Sequence, residues 1–298
     1  MSNVEPRFGR LITAMVTPFN DERELDLDRA QALATRLIDG GNDSLIINGT
    51  TGESPTVFYP QKIELFRAVV EAVGGKAPVI ANVGDNCTAD TVDFAKDVAK
   101  LGVDGFMCVV PYYNKPPQEG MYQHFKTIAD AVELPIILYN IPGRCVVNME
   151  AETTLRLAND CENIIAVKEA SGKMDQIATI AAAAPEGFSV YSGDDSATYD
   201  IMRLGGAGVI STTGNVAPER MKELVTKCAE GKWDEAWAAH EALLPLMNGL
   251  FETSNPILVK EALKLVGFPV GGVRLPLIDA TAEQSARLAS IMREVGVL

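Results

Sequence analysis

The chain has 298 residues, of which 47% are hydrophobic and 22% charged, and its formal net charge is −14. This apolar fraction is ample for a packed core and excludes an intrinsically disordered chain, while the acidic balance argues against a nucleic-acid-binding protein, which needs a basic surface. No apolar run reaches the roughly 18–20 residues that span a bilayer, so a membrane protein of helical type is excluded as well.

Eight short apolar runs, most of them rich in β-branched residues, recur along the chain. They are Leu11–Phe19, Ser44–Asn48, Pro78–Val83, Gly105–Val110, Pro135–Tyr139, Ile164–Val167, Phe188–Tyr191 and Gly208–Ser211. Most are continuously apolar and do not alternate with polar residues, which is typical of parallel strands covered on both faces. The segments between them have helical spacing, and glycines mark where these helices end.

Eight consecutive βα units predict an α/β fold, a closed (β/α)8 TIM barrel. A doubly wound parallel sheet is the alternative, but eight units in series favour closure. We expect the barrel to occupy residues 1–230 and a C-terminal helical extension to occupy residues 231–298. The extension has no strand-like run, and its predicted helices are Trp233–Leu250, Asn255–Val266 and Ala282–Val295. No linker precedes it, so we expect it to pack directly on the barrel or on a neighbouring subunit.

Functional residues of such a barrel cluster at the carboxyl ends of the strands, and Lys168 stands out there. It alone among the lysines directly follows a wholly apolar strand. Burial at that place lowers the pKa of an amine, and a neutral amine can attack a carbonyl to form a Schiff base. A buried ion pair with Glu169, or with an aspartate at the end of strand seven, is an equally weighted alternative.

Two further strand ends carry candidate polar groups. Tyr139 ends the neighbouring strand and is a candidate proton shuttle, although a rim tyrosine bonded to the backbone is the more common case. Thr50 and Thr51 lie in a turn bracketed by Gly49 and Gly52, where backbone N–H groups can converge on a carboxylate. An ordinary tight turn followed by a helix cap is the alternative.

Arg144 follows a Pro-Gly turn and is a candidate partner for a substrate carboxylate, with a solvent-facing arginine as the alternative. We interpret Asp194 and Asp195 first as helix caps or structural acceptors. A histidine-based metal site is not expected, because the only histidines, His124 and His240, are far apart in the sequence.

Five scattered cysteines without a CxxC pair fit reduced structural thiols. The segment Met1–Arg10 has no apolar core of signal-peptide type. Together these features favour a cytoplasmic protein.

Taken together, the strand ends resemble the motifs of the 4-hydroxy-tetrahydrodipicolinate (dihydrodipicolinate) synthase family. The matching segments, in order over essentially the whole chain, are Gly49–Glu53, Pro111–Pro116, Tyr139–Arg144, Val167–Gly172, Ser192–Asp195, Gly208–Ser211 and Asn255-Pro256. This family belongs to the pyruvate-dependent Schiff-base aldolases, which include N-acetylneuraminate lyase.

The resemblance implies that the protein condenses pyruvate with L-aspartate 4-semialdehyde in diaminopimelate and lysine biosynthesis. Lys168 would form an imine with pyruvate. Tyr139, Thr50 and Tyr113 would form a proton relay, with Tyr113 supplied by a neighbouring subunit of a homotetramer. Thr51, together with Thr50, would hold the pyruvate carboxylate.

The resemblance also implies that Arg144 binds the carboxylate of the aldehyde substrate, and that Gly193 and Ile210 supply backbone contacts. It requires neither a metal nor an organic cofactor. The Tyr112-Tyr113 pair and Arg144 favour the synthase over a related aldolase acting on a sugar acid. That aldolase and a non-catalytic pyruvate-binding paralogue are the alternative functions.

The chain departs from the family at two places. Cys145-Val146 follows Arg144 where Thr-Gly is common, which leaves the path of that loop open. Inhibited members bind L-lysine at a subunit interface, where Ser54, Asn86, Asp90 and Tyr112 match loosely. Tyr59 and Lys62 stand where histidines are frequent, and a cationic Lys62 would repel the ammonium of lysine. We therefore expect weak or absent feedback inhibition.

Overall fold

In the computed structural model, which describes residues 5–298, the central element is a closed barrel of eight parallel strands in sequence order. The strands are β1 (Leu11–Ala14), β2 (Ser44–Ile47), β3 (Val79–Asn82), β4 (Gly105–Val109), β5 (Ile136–Asn140), β6 (Ile164–Glu169), β7 (Ser189–Ser192) and β8 (Gly208–Ser211). Strand β1 pairs with both β2 and β8, and this pairing closes the sheet. The predicted (β/α)8 barrel is confirmed.

Helices surround the barrel and follow it at the C-terminus. They are α1 (Leu27–Asp39), α2 (Tyr59–Val73), α3 (Thr88–Ala99), α4 (Gln118–Ala131), α5 (Pro142–Cys145), α6 (Ala151–Asp160), α7 (Met174–Ala183), α8 (Thr198–Arg203), α9 (Pro218–Ala229), α10 (Trp233–Gly249), α11 (Ile257–Leu265) and α12 (Ala282–Glu294). Helix α1 illustrates why they form: Asp26 caps its first turn by accepting from the N–H of Arg29, and its apolar stripe is buried. Within residues 5–298, no helix is both long and apolar enough to cross a bilayer.

Three elements differ from their predicted bounds by two residues or more at one end. One of them is β6, which runs on to Glu169 and so includes Lys168, expected to follow it. The first strand was expected to reach Phe19 but ends at Ala14, because the chain then bends toward the loop after β2. There the Thr17 hydroxyl donates to the carbonyl of Gly52 at 2.6 Å, and Phe19 forms an isolated antiparallel bridge with Leu25. Helix α11 begins at Ile257, two residues later than expected, and leaves Asn255 outside the helix.

The hydrophobic residues form two cores. One fills the barrel interior and includes Ile12, Ile46, Ile137, Ala166 and Ile210. The other lies between the strands and the surrounding helices, and it also takes in residues of α10, α11 and α12. Helices α9 and α10, on either side of residue 230, pack against each other. The C-terminal helices thus share a continuous core with the barrel and lie close to its mouth.

Candidate active site

Lys168 lies on β6, one residue before that strand ends at Glu169, and its exposed fraction is 6%. Side chains two residues apart on a strand point to the same face, and Ala166 belongs to the core inside the barrel. Lys168 therefore points inward at the carboxyl end of the barrel. It pairs in register with Tyr139 of β5, and its Nζ lies 4.4 Å from the centroid of the Tyr139 ring.

Burial is the main reason that the pKa of Lys168 falls, to about 8. The positive charge of Arg144 lowers this pKa further, whereas the carboxylates of Asp195 and Asp194 oppose the shift. About a tenth of the amine is then neutral at pH 7, far more than for an ordinary lysine, and this is the form that attacks a carbonyl.

The carboxylates expected as ion-pair partners of Lys168 are engaged elsewhere. Glu169 accepts hydrogen bonds from Asn140, Gln176 and the N–H of Ser171. Among the residues that the structure describes, no carboxylate oxygen lies within 4.0 Å of the Lys168 ammonium. This arrangement favours the nucleophile over the ion pair.

Asp194 and Asp195 serve as a cap and a structural acceptor, as expected from the sequence. Asp194 caps the short 3-10 turn Asp195–Ala197 by accepting from the N–H of Ser196. One oxygen of the buried Asp195 accepts from the N–H groups of Thr212 and Thr213 and so fixes the loop that follows β8.

Tyr139 is buried, and burial raises the pKa of its phenol to about 12. The positive charge of Arg144 and a hydrogen bond with the Thr50 side chain partly oppose that shift. The phenol is thus protonated at neutral pH, and its ring lies beside the Lys168 amine, so Tyr139 is a candidate to donate and recover a proton.

The turn that carries Thr50 and Thr51 is tightly held. It is flanked by Asn48 and Glu53, two non-glycine residues in the left-handed region with φ of 63° and 55°. The Thr51 hydroxyl is buried; it accepts from Nδ2 of Asn255 at 2.9 Å and lies 3.4 Å from the Thr212 hydroxyl. Thr50 is only partly buried and faces the mouth of the barrel.

Arg144 lies on the short helix α5, and its side chain is exposed. Together with Thr50 and Tyr139 it lines an open cavity of about 450 Å³. Val146, which stands where the family commonly has glycine, keeps a left-handed conformation with φ of 69°. A β-branched residue is strained there, at a typical cost of about 1–3 kcal/mol. The loop therefore follows a path that suits glycine, even though the glycine is missing.

The structure places Gly193 and Ile210 beside this centre. The N–H of Gly193 donates to the carbonyl of Glu169 at 2.8 Å, and a Cβ at this position would lie 2.6 Å from the Cβ of Ala170. Only glycine fits between the ends of β6 and β7. Ile210 lies on β8 and packs in the core inside the barrel.

Tyr113 does not join this group within one chain. Its side chain is 87% exposed, its φ is 74°, and it does not line the cavity that holds Thr50, Tyr139 and Arg144. Its neighbour Tyr112 does line that cavity and donates from its hydroxyl to Asp85 at 3.0 Å.

A second cavity, of about 320 Å³, lies next to the first and shares walls with it. Both are lined by Ser54, Lys62 and Asp85, and the second also by Tyr59 and Asp90. Of these residues, Ser54 and Asp90 match the lysine site of inhibited family members, and Tyr59 and Lys62 stand where histidines are frequent; Asp85 was not among the expected residues.

Three residues near the centre were not predicted to have a role. Asn255 bonds to Thr51, and Lys260 forms an ion pair of 2.6 Å with Glu53. Asn255 and Glu53 had a sequence signal, because they lie in the matching segments Asn255-Pro256 and Gly49–Glu53, although neither was given a role; Lys260 had none. In the part of the chain that the structure describes, no cluster of three or more His, Cys, Asp or Glu residues is arranged to hold a metal ion.

Comparisons with known proteins agree with one another. The model of the dihydrodipicolinate synthetase family matches residues 7–295. A 4-hydroxy-tetrahydrodipicolinate synthase of Moorella thermoacetica is 53% identical over 98% of this chain and all of that protein. One of Symbiobacterium thermophilum is 50% identical, again over 98% of this chain and all of the relative.

Solved structures extend the likeness to three dimensions. A dihydrodipicolinate synthase of Cyanidioschyzon merolae, solved with lysine bound, is 45% identical and superposes with a TM-score of 0.97, covering 99% of this chain and 100% of its own. The enzyme of Acinetobacter baumannii, solved with pyruvate, is 36% identical and has a TM-score of 0.95, and the match covers 98% of this chain and 100% of that one. With the fold, the lysine at the end of β6 and the relatives all in agreement, the chain belongs to the dihydrodipicolinate synthetase family.

Proposed function

We propose that the protein is a lyase that condenses pyruvate with L-aspartate 4-semialdehyde to give 4-hydroxy-tetrahydrodipicolinate, on the route to diaminopimelate and lysine. The observation that carries this proposal is Lys168: a buried amine with a pKa of about 8, without a direct ion pair, beside the phenol of Tyr139. The names of relatives about 50% identical over the whole chain support the same reaction.

In the first step the neutral amine of Lys168 attacks the keto carbon of pyruvate. A C–N bond forms, and the carbonyl oxygen leaves as water once it has received protons. Tyr139 and Thr50 pass these protons, and Tyr113 of a neighbouring subunit completes the relay. Loss of a proton from the pyruvate methyl group then converts the imine to an enamine.

In the second step the enamine carbon attacks the aldehyde of L-aspartate 4-semialdehyde, and a C–C bond forms. The amino group of that substrate then attacks the imine carbon and displaces Lys168, which closes the ring and frees the enzyme. One water is released overall, the one that formed with the first imine.

Both substrates are anionic, and the mouth of the barrel offers a partner for each carboxylate. The turn with Thr50 and Thr51 holds pyruvate through hydroxyl and N–H donors, and Gly193 and Ile210 add backbone contacts. Arg144 forms a charged pair with the carboxylate of the semialdehyde. These side chains suffice for the reaction, so no metal or organic cofactor takes part.

The aldolase acting on a sugar acid differs from this proposal in its second substrate. The relatives' names favour the synthase, as do Arg144 and Tyr112 in the wall of the cavity. We propose in addition that the enzyme is a homotetramer, since the relay needs Tyr113 from another subunit. We also propose that it is cytoplasmic, which the five free cysteines support.

The variant Arg144→Ala tests the proposal. Removal of the guanidinium should lower kcat/KM for L-aspartate 4-semialdehyde about 100-fold, because a charged hydrogen-bonded pair is lost. Formation of the pyruvate imine at Lys168 should persist. Steady-state kinetics with both substrates, together with mass analysis after borohydride reduction, measures the two effects separately.

Arg156→Ala, which removes an exposed arginine of α6 outside the mouth, is the matched control and should leave both readouts unchanged. Unchanged turnover of the semialdehyde in Arg144→Ala would contradict the assigned role. Faster cleavage of a sugar acid than condensation with the semialdehyde, by the unaltered enzyme, would favour the aldolase instead.

A further inference from the structure

We propose that Asn255 is a positioning residue for pyruvate: it orients the Thr51 hydroxyl so that the proton of that hydroxyl faces the pyruvate carboxylate. This inference rests on the function proposed above and extends the site to a residue that precedes α11, in the C-terminal part of the chain.

A threonine hydroxyl has one proton to donate and lone pairs to accept with. Nδ2 of Asn255 donates to Oγ1 of Thr51 at 2.9 Å, so this bond occupies a lone pair and leaves the proton free. The nearest other hydroxyl, that of Thr212, lies 3.4 Å away, beyond a good O–H···O distance. The Thr51 proton is thus free for another acceptor, which in the proposed function is the pyruvate carboxylate.

A second contact, made by α11 itself, holds Glu53 on the C-terminal side of the same turn. The ammonium of Lys260 pairs with Oε1 of Glu53 at 2.6 Å, and the exposed fractions of the two side chains are 2% and 1%. Oε2 of Glu53 accepts from the N–H of Arg274 at 2.9 Å. Since charges this deeply buried are costly to separate, the pair fixes α11 relative to the turn.

The position of Asn255 is therefore well defined. It lies just before the helix that carries Lys260, and its side chain is buried. Glu53 keeps a left-handed φ of 55°, a conformation that its fixed carboxylate helps to maintain. The two contacts act at Thr51, inside the turn, and at Glu53, which flanks it. Asn255 orients the Thr51 hydroxyl, while the ion pair between Lys260 and Glu53 holds the backbone of the turn that carries it.

Asn255→Asp provides the sharpest test, because it is isosteric and reverses the bond. A carboxylate cannot donate, so it would take the proton of the Thr51 hydroxyl and withdraw it from pyruvate. We expect the pyruvate concentration that half-saturates imine trapping by borohydride to rise at least tenfold. The kcat at saturating pyruvate and the KM for the semialdehyde should stay within about twofold of the unaltered enzyme.

Asn255→Ala leaves the hydroxyl free to rotate and should give a smaller rise, of about three- to tenfold. Ser254→Ala, at the exposed neighbouring residue, is the matched control and should give none. The double variant Asn255→Asp with Thr51→Val distinguishes an effect on the orientation of the Thr51 hydroxyl from repulsion between the new carboxylate and pyruvate. Without the hydroxyl most of the effect of Asn255→Asp should vanish, whereas charge repulsion would persist.

Three results would overturn the inference. They are an unchanged half-saturation in Asn255→Asp, an equal effect of Asn255→Asp with and without the Thr51 hydroxyl, and a fall in kcat with no change in half-saturation. If Asn255→Ala does not fold, the isosteric variant still decides between these outcomes. Trapping in the unaltered enzyme is the reference: its absence would reject the proposed function itself, whereas its presence with unaffected variants would reject only the role of Asn255.

Discussion

Two buried lysines show what distinguishes a nucleophile from a structural cation. Burial lowers the pKa of both Lys168 and Lys260 to about 8. Lys260 forms an ion pair with Glu53 and donates to the carbonyl of Gly272, so its nitrogen is fully engaged. The amine of Lys168 instead lies over the ring of Tyr139, and among the described residues it has no carboxylate within ion-pair distance. A low pKa alone therefore does not identify the proposed nucleophile; the absence of an ion pair at Lys168 is what distinguishes it from Lys260.

Imine formation should depend on pH through the protonation of Lys168. The neutral amine reacts, so the rate should rise as pH increases through about 8 and level off above it. Arg144 contributes to lowering this pKa, so Arg144→Ala should move the inflection to higher pH. The measurement is the rate of imine formation with pyruvate alone, from pH 6 to about 11.

Arg156→Ala should retain the inflection of the unaltered enzyme and serves as the control. A rate that is flat over this range, or an inflection near the ordinary lysine pKa of about 10.4, would contradict the assigned environment of Lys168.

At the level of helices and strands, the apolar runs predicted the barrel well. Continuous β-branched runs located all eight strands, because buried parallel strands leave a strong local pattern. The first strand was predicted too long, since the apolar residues after Ala14 are buried in a loop and not in the sheet. Burial of an apolar run does not by itself distinguish a strand from a packed loop.

Long-range polar contacts were beyond prediction from local patterns. Asn255 and Thr51 are 204 residues apart, and no periodicity relates them. The conformation of Val146 was equally hidden, because a β-branched residue gives no sign of a left-handed φ. Motif resemblance located the residues at the strand ends, whereas the contacts that hold them needed three dimensions.

Helix α2 carries the two residues that bear on feedback inhibition. The Tyr59 hydroxyl donates to Asp97 at 2.6 Å, and Lys62 lines both neighbouring cavities. Burial lowers the pKa of Lys62, while the Asp85 carboxylate opposes this shift. Where Lys62 is protonated, it repels the ammonium of an L-lysine ligand in this pocket. We therefore expect an inhibition constant for L-lysine in the millimolar range or weaker, about 4 kcal/mol of binding or less.

Lys62→His should strengthen inhibition by L-lysine at pH 8, since a histidine is largely neutral there. The control is Lys96→Ala, which removes an exposed lysine of α3 that lines neither cavity. Steady-state inhibition at fixed substrate concentrations provides the constants. A micromolar constant for the unaltered enzyme would show that Lys62 does not prevent binding.

For the whole molecule, the charge distribution reconciles an acidic chain with anionic substrates. The net charge of −14 disfavours anions at long range, but physiological salt screens charges over about 8 Å. The cavity at the mouth is lined by two cationic side chains, Arg144 and Lys62, and by one carboxylate, Asp85. The charged side chains that line the cavity, and not the net charge of the chain, therefore determine which ligands bind there.

The exposure of Tyr113 bears on assembly. An aromatic side chain that is 87% exposed is unusual for a relay residue, and it has a place in the mechanism only if a second subunit receives it. The resemblance supplied this expectation; the single chain offers the exposed residue but not the partner. The relay is the part of the proposed site that depends most on the oligomer.

The most direct test of the central claim is reduction by borohydride in the presence of pyruvate, followed by mass analysis of the digested protein. We predict one reduced pyruvate-derived adduct per chain, on the peptide that contains Lys168, and its loss in Lys168→Ala. An adduct on another lysine, such as the equally buried Lys260, or no adduct at all, would contradict the assignment of Lys168 as the imine-forming residue.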